Sequence, residues 1–450
     1  MDGLLCCQGP TTPHRILFPG VPGTDFTLIR GQRPFANVAS ETAPGPGACH
    51  LRATMDLHDS PEDAAFRAEA GAWLEQHLSG QFAAARGLGR AGNEHEGREI
   101  RLEWERHLGD SGWTCVGWPK AHGGRGATMA QQVIWNEEYA RADAPARVGV
   151  MGEGLLGPTL IAFGDAGHRR RFLEPIRRGT ELWCQGYSEP DAGSDLANIQ
   201  TRAVLDGDEW VLTGQKVWTS YAQWSDWCFV VARTDQAQPR HRGLSYLLVP
   251  MDQPGVEVRP IRQMTGTSEF NEVFFDGART RADLVVGEVN GGWKVALATL
   301  AFERGVGLLG DILHFRRQLD EVLRTAHMNG RAQDAVIRQR LARSWSQLFI
   351  LRLHTLRVLT GVDGPVAPPE ASISKLFWSS WHRDLGELAM DVFGTDAMKA
   401  EGISDELVEL QRVFLFSRAD TIYGGSNEIQ RNIIGERVLG LPPEPKGALS

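Results

Sequence analysis

Between Leu182 and Ser220 the chain reads LWCQGYSEPDAGSDLANIQTRAVLDGDEWVLTGQKVWTS. A short apolar run opens it, a Pro/Gly/Ser loop interrupts it, and apolar and polar positions then alternate through Thr201, Val204, Trp210, Val211, Val217 and Trp218. This pattern predicts a strand, a ligand-facing loop and a hairpin. Asp206, Gly207 and Asp208 supply the hairpin turn, because Asp and Gly accept the positive backbone angles that tight connections require.

On either side the period changes. From Ser60 to about Thr180 it is helical, with breaks at Gly112 to Gly126 and at Ala144 to Pro145. Ser60 is placed to cap the first helix, Pro61 to occupy its first turn, and Glu62 and Asp63 to meet its positive end. The basic run His168 to Arg171 reads as a solvated helix face. The glycine-rich run near Gly124 is no dinucleotide loop, since no apolar strand leads into it. Residues 181–290 carry short β-branched and aromatic segments, WCFVVARTD, GLSYLLVP, GVEVRPI and NEVFFDGARTRADLVV, split by Gly, Pro and Asp. Residues 291–440 return to long helical patterns with a connector at Gly361 to Pro369. Trp293, Leu297, Leu300, Leu308 and Ile312 mark one apolar face there, and helices of this length need partners, so a four-helix bundle is expected. Residues 1–54 show no period and read as a disordered leader or an upstream-start artefact, with Met55 a plausible start; residues 441–450 form a tail.

Composition narrows the function. At 450 residues, 42% hydrophobic and 23% charged, the chain is globular and long enough for two or three domains. A net charge of -9 argues against nucleic-acid binding. No run is apolar and long enough to span a membrane. The six cysteines are scattered without metal spacing, apart from the adjacent Cys6 and Cys7, so a reduced cytoplasmic protein with no metal is expected.

Candidate chemistry lies in the central stretch. Ser188 and Ser194 place hydroxyls at the two ends of the loop, Gly193 allows close approach and Pro190 stiffens it. Trp218 beside Thr219 and Ser220 offers a flat ring next to two donors, which suits one face of an isoalloxazine; an ordinary turn and a core tryptophan is the alternative.

GYSEPDAGSD followed by GQKVWTS resembles the flavin-binding signature of the acyl-CoA dehydrogenases, and the resemblance extends over about Met55 to Pro442. It implies an α+β architecture: an N-terminal helical domain over 55–180, a central β-barrel over 181–290 and a C-terminal four-helix bundle over 291–440. It also implies FAD as cofactor, an acyl-CoA substrate, an electron-transfer flavoprotein as acceptor, and a homodimer or homotetramer built through the bundle, or a heteromer with a related subunit. By the same resemblance Gln185, Tyr187, Ser188, Ser194, Trp218, Thr219 and Ser220 map onto flavin contacts, as do Gly425, Ser426 and Glu428 near the C-terminus. Asp391, Phe393 and Gly394 in MDVFGTDAMK map onto a segment that reaches the adenine end of FAD across a subunit interface, with Thr395 in place of a usual glycine. Ser194, Arg304 and Gly424 map onto substrate contacts.

The base departs from the commonest family pattern. TIYGGSNEIQR has Gly424 where many members carry the glutamate that removes the proton next to the thioester. A second family location, on the first bundle helix, corresponds here to Glu303 in LAFERG. Ala296, Thr299, Glu303, Gly307 and Gly310 share a helix face at spacings of three and four, so one carboxylate stands among small side chains, with space for a ligand. Close helix packing with Glu303 paired to Arg304 or Arg316 is the alternative. Gly424 can still offer its backbone N–H to the thioester carbonyl. The arginine-bearing R-x-x-F-G segment of the family is absent, which is compatible with a different partner subunit. Two further readings stay open at this point: a flavin monooxygenase of the same fold, and a non-catalytic subunit supporting an active partner.

Overall fold

Ser60 begins the ordered frame as its side chain accepts from the Asp63 N–H at 3.1 Å, with Pro61 at the first helical position. The computed structural model describes residues 59–90, 92–302, 307–360 and 371–443. The expected leader, the Gly361 to Pro369 connector, Glu303 and Arg304 therefore lie outside the described residues.

Helices α1 (Pro61–His77), α2 (Arg98–Asp110), α3 (Met129–Arg141), α4 (Gly157–Phe163) and α5 (Ala166–Arg178) build the N-terminal layer. Their inner faces bring Trp104, Trp113, Trp135, Phe66 and Leu108 into one core. His168 is no solvated residue: it is buried and closes a capping box with Asp165 at the start of α5, while Arg170 and Arg171 do face solvent.

Seven strands follow: β1 (Trp183–Gly186), β2 (Arg202–Asp206), β3 (Glu209–Ser220), β4 (Trp227–Arg233), β5 (Leu244–Pro250), β6 (Val256–Ile261) and β7 (Phe270–Arg281). They pair in the order β1-β4-β2-β3-β7-β6, with β5 on β4. The ladder stays open between β6 and the β1/β5 end, so this middle domain is a half-barrel. The β2–β3 hairpin turns at Gly207, with φ +65°, where the sequence places it. Buried Phe229, Val231, Tyr246 and Leu248 join the sheet to α4, α5 and the next helix in a second core.

The C-terminal layer holds α6 (Gly292–Phe302), α7 (Gly307–Met328), α8 (Ala335–Thr360), α9 (Ala371–Phe393), α10 (Asp405–Asp420) and α11 (Asn427–Ile433). Ile312, Phe315, Leu319, Leu348, Trp381, Leu385 and Leu410 fill the bundle interior between α7, α8, α9 and α10. On α6 two expectations change. Leu297 is 41% exposed, and of the small-residue face Ala296 and Thr299 are packed at 0%, while Glu303 lies outside the described residues. Thr299 Oγ1 meets Thr159 Oγ1 at 2.8 Å, which closes α6 onto α4.

Candidate active site

The ladder between β3 and β7 slips between Lys216 and Thr219. At the slip Trp218 takes φ +61°, and its ring is 59% exposed. A left-handed backbone costs a non-glycine residue about 1–2 kcal/mol, and exposing a large ring forgoes its burial. Strain and exposure combined set it apart from a core tryptophan and make it a candidate ligand platform. Ser188, whose carbonyl accepts from the Val217 N–H at 2.9 Å, Ser220 on the same strand and Ser194 farther along the loop have hydroxyls with no partner among the described residues, Ser194 being exposed and the other two half-buried. Gln185 Nε2 is buried and unpartnered nearby in sequence. Two predicted contacts turn inward instead. The Tyr187 ring stands edge-on to Phe229 and Tyr246 in the core, and Thr219 is 0% exposed, because alternation along β3 sends it to the face opposite Trp218.

Two residues before the platform, Lys216 is wholly buried. Its ammonium donates to the Tyr187 carbonyl at 3.0 Å, the Val231 carbonyl at 2.9 Å and the Glu189 carboxylate at 2.8 Å. Glu189 also accepts from the N–H groups of Gln200 at 2.5 Å and Thr201 at 2.9 Å. Burial by itself would raise the Glu189 carboxyl; the Lys216 charge and these donors hold it below the usual carboxylate range. The SEP loop is thus fixed to the GQK strand by one buried ion pair, a link the sequence reading missed although both residues stand inside its motifs. Gly214 of the same strand has φ +154°, and a Cβ there would lie 2.6 Å from Thr201 Cα, so the close approach requires glycine. Gly193, by contrast, has open space around it.

The second candidate segment is the turn from Thr421 to Gly425 between α10 and α11. Gly424 has φ +61° and makes no backbone hydrogen bond through its N–H among the described residues. Gln430 holds the Gly424 carbonyl at 3.2 Å and the Gly425 carbonyl at 3.4 Å. Beneath the turn, Asp420 is 1% exposed; it contacts His382 Nδ1 at 2.6 Å and accepts from the Tyr423 hydroxyl at 2.5 Å, while Lys375 donates to its carbonyl. Ser426 caps α11, and Glu428 is an exposed first-turn residue ion-paired to Arg431 at 3.4 Å. Asp391 pairs with Arg340, and Phe393 packs on the bundle core. Twelve residues of α9 separate Asp391 from Ser379, which bonds Asn427 at 2.9 Å; that is roughly 18 Å of helix. Asp391, Phe393 and Gly394 accordingly stand apart from the Tyr423–Gly425 turn within one subunit.

Helices, a half-barrel and a helical bundle, with these two motif-bearing segments, define the acyl-CoA dehydrogenase architecture. Family models agree along the chain: the acyl-CoA dehydrogenase N-terminal domain matches residues 60–180, the middle domain 184–278 and the C-terminal domain 290–439. The acyl-CoA dehydrogenase IpdE1 of Mycobacterium tuberculosis is 58% identical over 384 residues, covering 85% of this chain and 98% of its own length. The acyl-CoA dehydrogenase FadE26 of the same organism is 34% identical, covering 74% of this chain and 86% of its own. Among solved structures, the Tcur3481-Tcur3483 steroid ACAD superposes with a TM-score of 0.76 at 30% identity, covering 87% of this chain and 100% of that one. The ChsE4-ChsE5 complex from Mycobacterium tuberculosis gives 0.73 at 30%, with the same coverage. The chain belongs to the acyl-CoA dehydrogenase family and is an oxidoreductase. No described helix is long and apolar enough to cross a membrane.

Proposed function

We propose that this chain is an FAD-dependent dehydrogenase that converts an acyl-CoA thioester to the trans-2-enoyl-CoA and passes the electrons to an electron-transfer flavoprotein. The observation that carries this reading is the exposed, strained Trp218 with the unpartnered hydroxyls of Ser188 and Ser220 on the segments joined to it. A flat exposed ring with free hydroxyls on the adjoining segments fits the flavin of FAD, which when bound accepts hydride from the carbon β to the thioester. Ser194, at the exposed end of its loop, is assigned to the substrate.

Glu303 is the proposed base. It joins α6 to α7 in the chain, and the turn that holds the base in other members has Gly424 instead, so no carboxylate competes there. The base removes the proton α to the thioester, which needs a carboxylate kept out of water. The unbonded Gly424 N–H serves the thioester carbonyl and stabilises the negative oxygen that develops as the proton leaves. Arg304, next in the sequence, is assigned to the CoA arm.

The solved relatives described as a steroid ACAD and as a two-component complex favour a ring-bearing acyl group and an assembly with a related subunit. In such an assembly Asp391, Phe393 and Gly394 serve a neighbouring subunit's FAD, which accounts for their distance from the turn. Anaerobic titration of the yellow protein with a panel of acyl-CoA esters tests the reading. Bleaching of flavin absorbance by at least one ester is expected; a flavin that no ester reduces contradicts it.

A further inference from the structure

Beneath the Gly424 turn a chain of polar contacts crosses three helices. Gln318 Oε1 on α7 meets His382 Nε2 on α9 at 2.9 Å, and His382 Nδ1 meets Asp420 Oδ2 at the end of α10 at 2.6 Å. Asp420 Oδ1 then accepts from the Tyr423 hydroxyl at 2.5 Å. Both nitrogens of the ring face oxygen acceptors, so the ring donates on each side. His382 and Asp420 are buried, with the His382 ring against Phe315 at 4.7 Å in the bundle interior.

Packing alone does not call for this chain. Phe315, Trp381 and Leu385 already join α7 to α9, and buried polar groups carry a desolvation cost that apolar residues of the same shape avoid. What hydrogen bonds add is direction: a satisfied buried network holds one arrangement of its elements against the others. The last link is Tyr423, which is 38% exposed with its hydroxyl the end held inside. Its neighbour in the chain is Gly424, whose N–H makes no backbone hydrogen bond among the described residues. The first link, Gln318, lies on α7, which begins four residues after Glu303. The network therefore ties the turn to the helix that follows the proposed base. On the other side the turn is held by the Tyr423 N–H, which donates to the Ala419 carbonyl at 3.0 Å, and by Gln430 on the Gly424 and Gly425 carbonyls.

We infer that His382 is a positioning residue for the reaction: by holding Asp420, and through it Tyr423, it fixes where the Gly424 N–H points relative to the thioester carbonyl. His382 itself touches neither substrate nor flavin in this assignment. A misplacement of about 1 Å can cost on the order of a hundredfold in rate, so a loosened turn reads out in the chemical step more than in ester binding. The inference rests on the dehydrogenase reading given above.

The test is rapid-mixing anaerobic reduction of the FAD-loaded full chain over a range of ester concentrations, which separates the limiting rate of flavin bleaching from the ester Kd. His382→Gln carries its amide toward Gln318 and leaves Asp420 without the ring donor. It should lower the limiting rate at least about tenfold while Kd changes less than about threefold. His382→Asn places its amide nitrogen where Nδ1 stands, keeps the bond to Asp420 and should recover to within about threefold of wild type. Tyr423→Phe cuts the last link but keeps the ring; it should lose as much as His382→Gln, and the double variant should lose no more than either single one, because both break the same chain. Equal rates in His382→Asn and His382→Gln, Tyr423→Phe at the wild-type rate, a loss confined to Kd, or losses that multiply in the double variant overturn the assignment. If His382→Gln does not fold, Tyr423→Phe decides alone by the same rate and Kd. If no ester bleaches the wild-type flavin, it is the dehydrogenase reading that fails, and this assignment falls with it.

Discussion

Replacing Lys216 with methionine should separate the site from its scaffold. The ammonium is buried and satisfies three acceptors at once, the Tyr187 and Val231 carbonyls and the Glu189 carboxylate. Methionine fills similar volume but donates nothing, so a buried carboxylate loses its cation and two carbonyls lose a donor. Removing one partner of a buried ion pair costs about 3–5 kcal/mol, and Glu189 still keeps the Gln200 and Thr201 N–H groups, which points to the lower part of that range. Because Glu189 anchors the SEP loop, the loss should also weaken FAD retention. Urea unfolding of apo protein reads the first effect, and flavin absorbance after gel filtration reads the second. The double variant Lys216→Met with Glu189→Gln removes the orphaned charge and should recover at least about 1.5 kcal/mol of the deficit. A single variant within about 1 kcal/mol of wild type that stays fully yellow would refute the reasoning.

Other outcomes follow from the same geometry. Glu94 has a folded value of about 7 against an ordinary 4.5, so folding favours its protonated form. Its stabilising contribution is complete below about 4.5 and is lost as pH rises through about 7. Glu94→Gln should therefore be more stable than wild type at pH 8, by at most about 3 kcal/mol, and no more stable at pH 4; urea midpoints at the two pH values check this. Gly214→Ala should lose more than about 2 kcal/mol in the same assay, since its Cβ would meet Thr201 backbone. Asp420→Ala leaves the His382 ring and the Tyr423 hydroxyl without their buried acceptor and should cost about 2–4 kcal/mol, measured by thermal and urea unfolding.

Much of the frame was legible in the sequence because the signals were local. Ser60 with Pro61, the Gly207 turn and the alternation along β3 each depend on residues a few positions apart, and each appears where expected. Motif likeness also singled out Trp218 and Gly424, though not the positive φ that both adopt. Helix spacing misled at Leu297 and Thr299, because periodicity shows which residues share a face but not what that face meets. The likeness mapped Tyr187 and Thr219 onto cofactor contacts but did not show that both side chains are buried, with Thr219 Oγ1 left without a hydrogen-bond partner. The contact of His95 with Glu269 at 3.3 Å had no local signal at all: its members stand 174 positions apart in the chain and meet only when the middle domain packs on the loop before α2.

The central claim, that Glu303 takes the proton while a bound flavin takes the hydride, is tested most directly by rapid-mixing anaerobic reduction of Glu303→Gln beside wild type, with the best ester from the panel. The account predicts that the variant stays yellow on purification, binds the ester, and shows flavin bleaching slowed at least a thousandfold. Bleaching at close to the wild-type rate would contradict it.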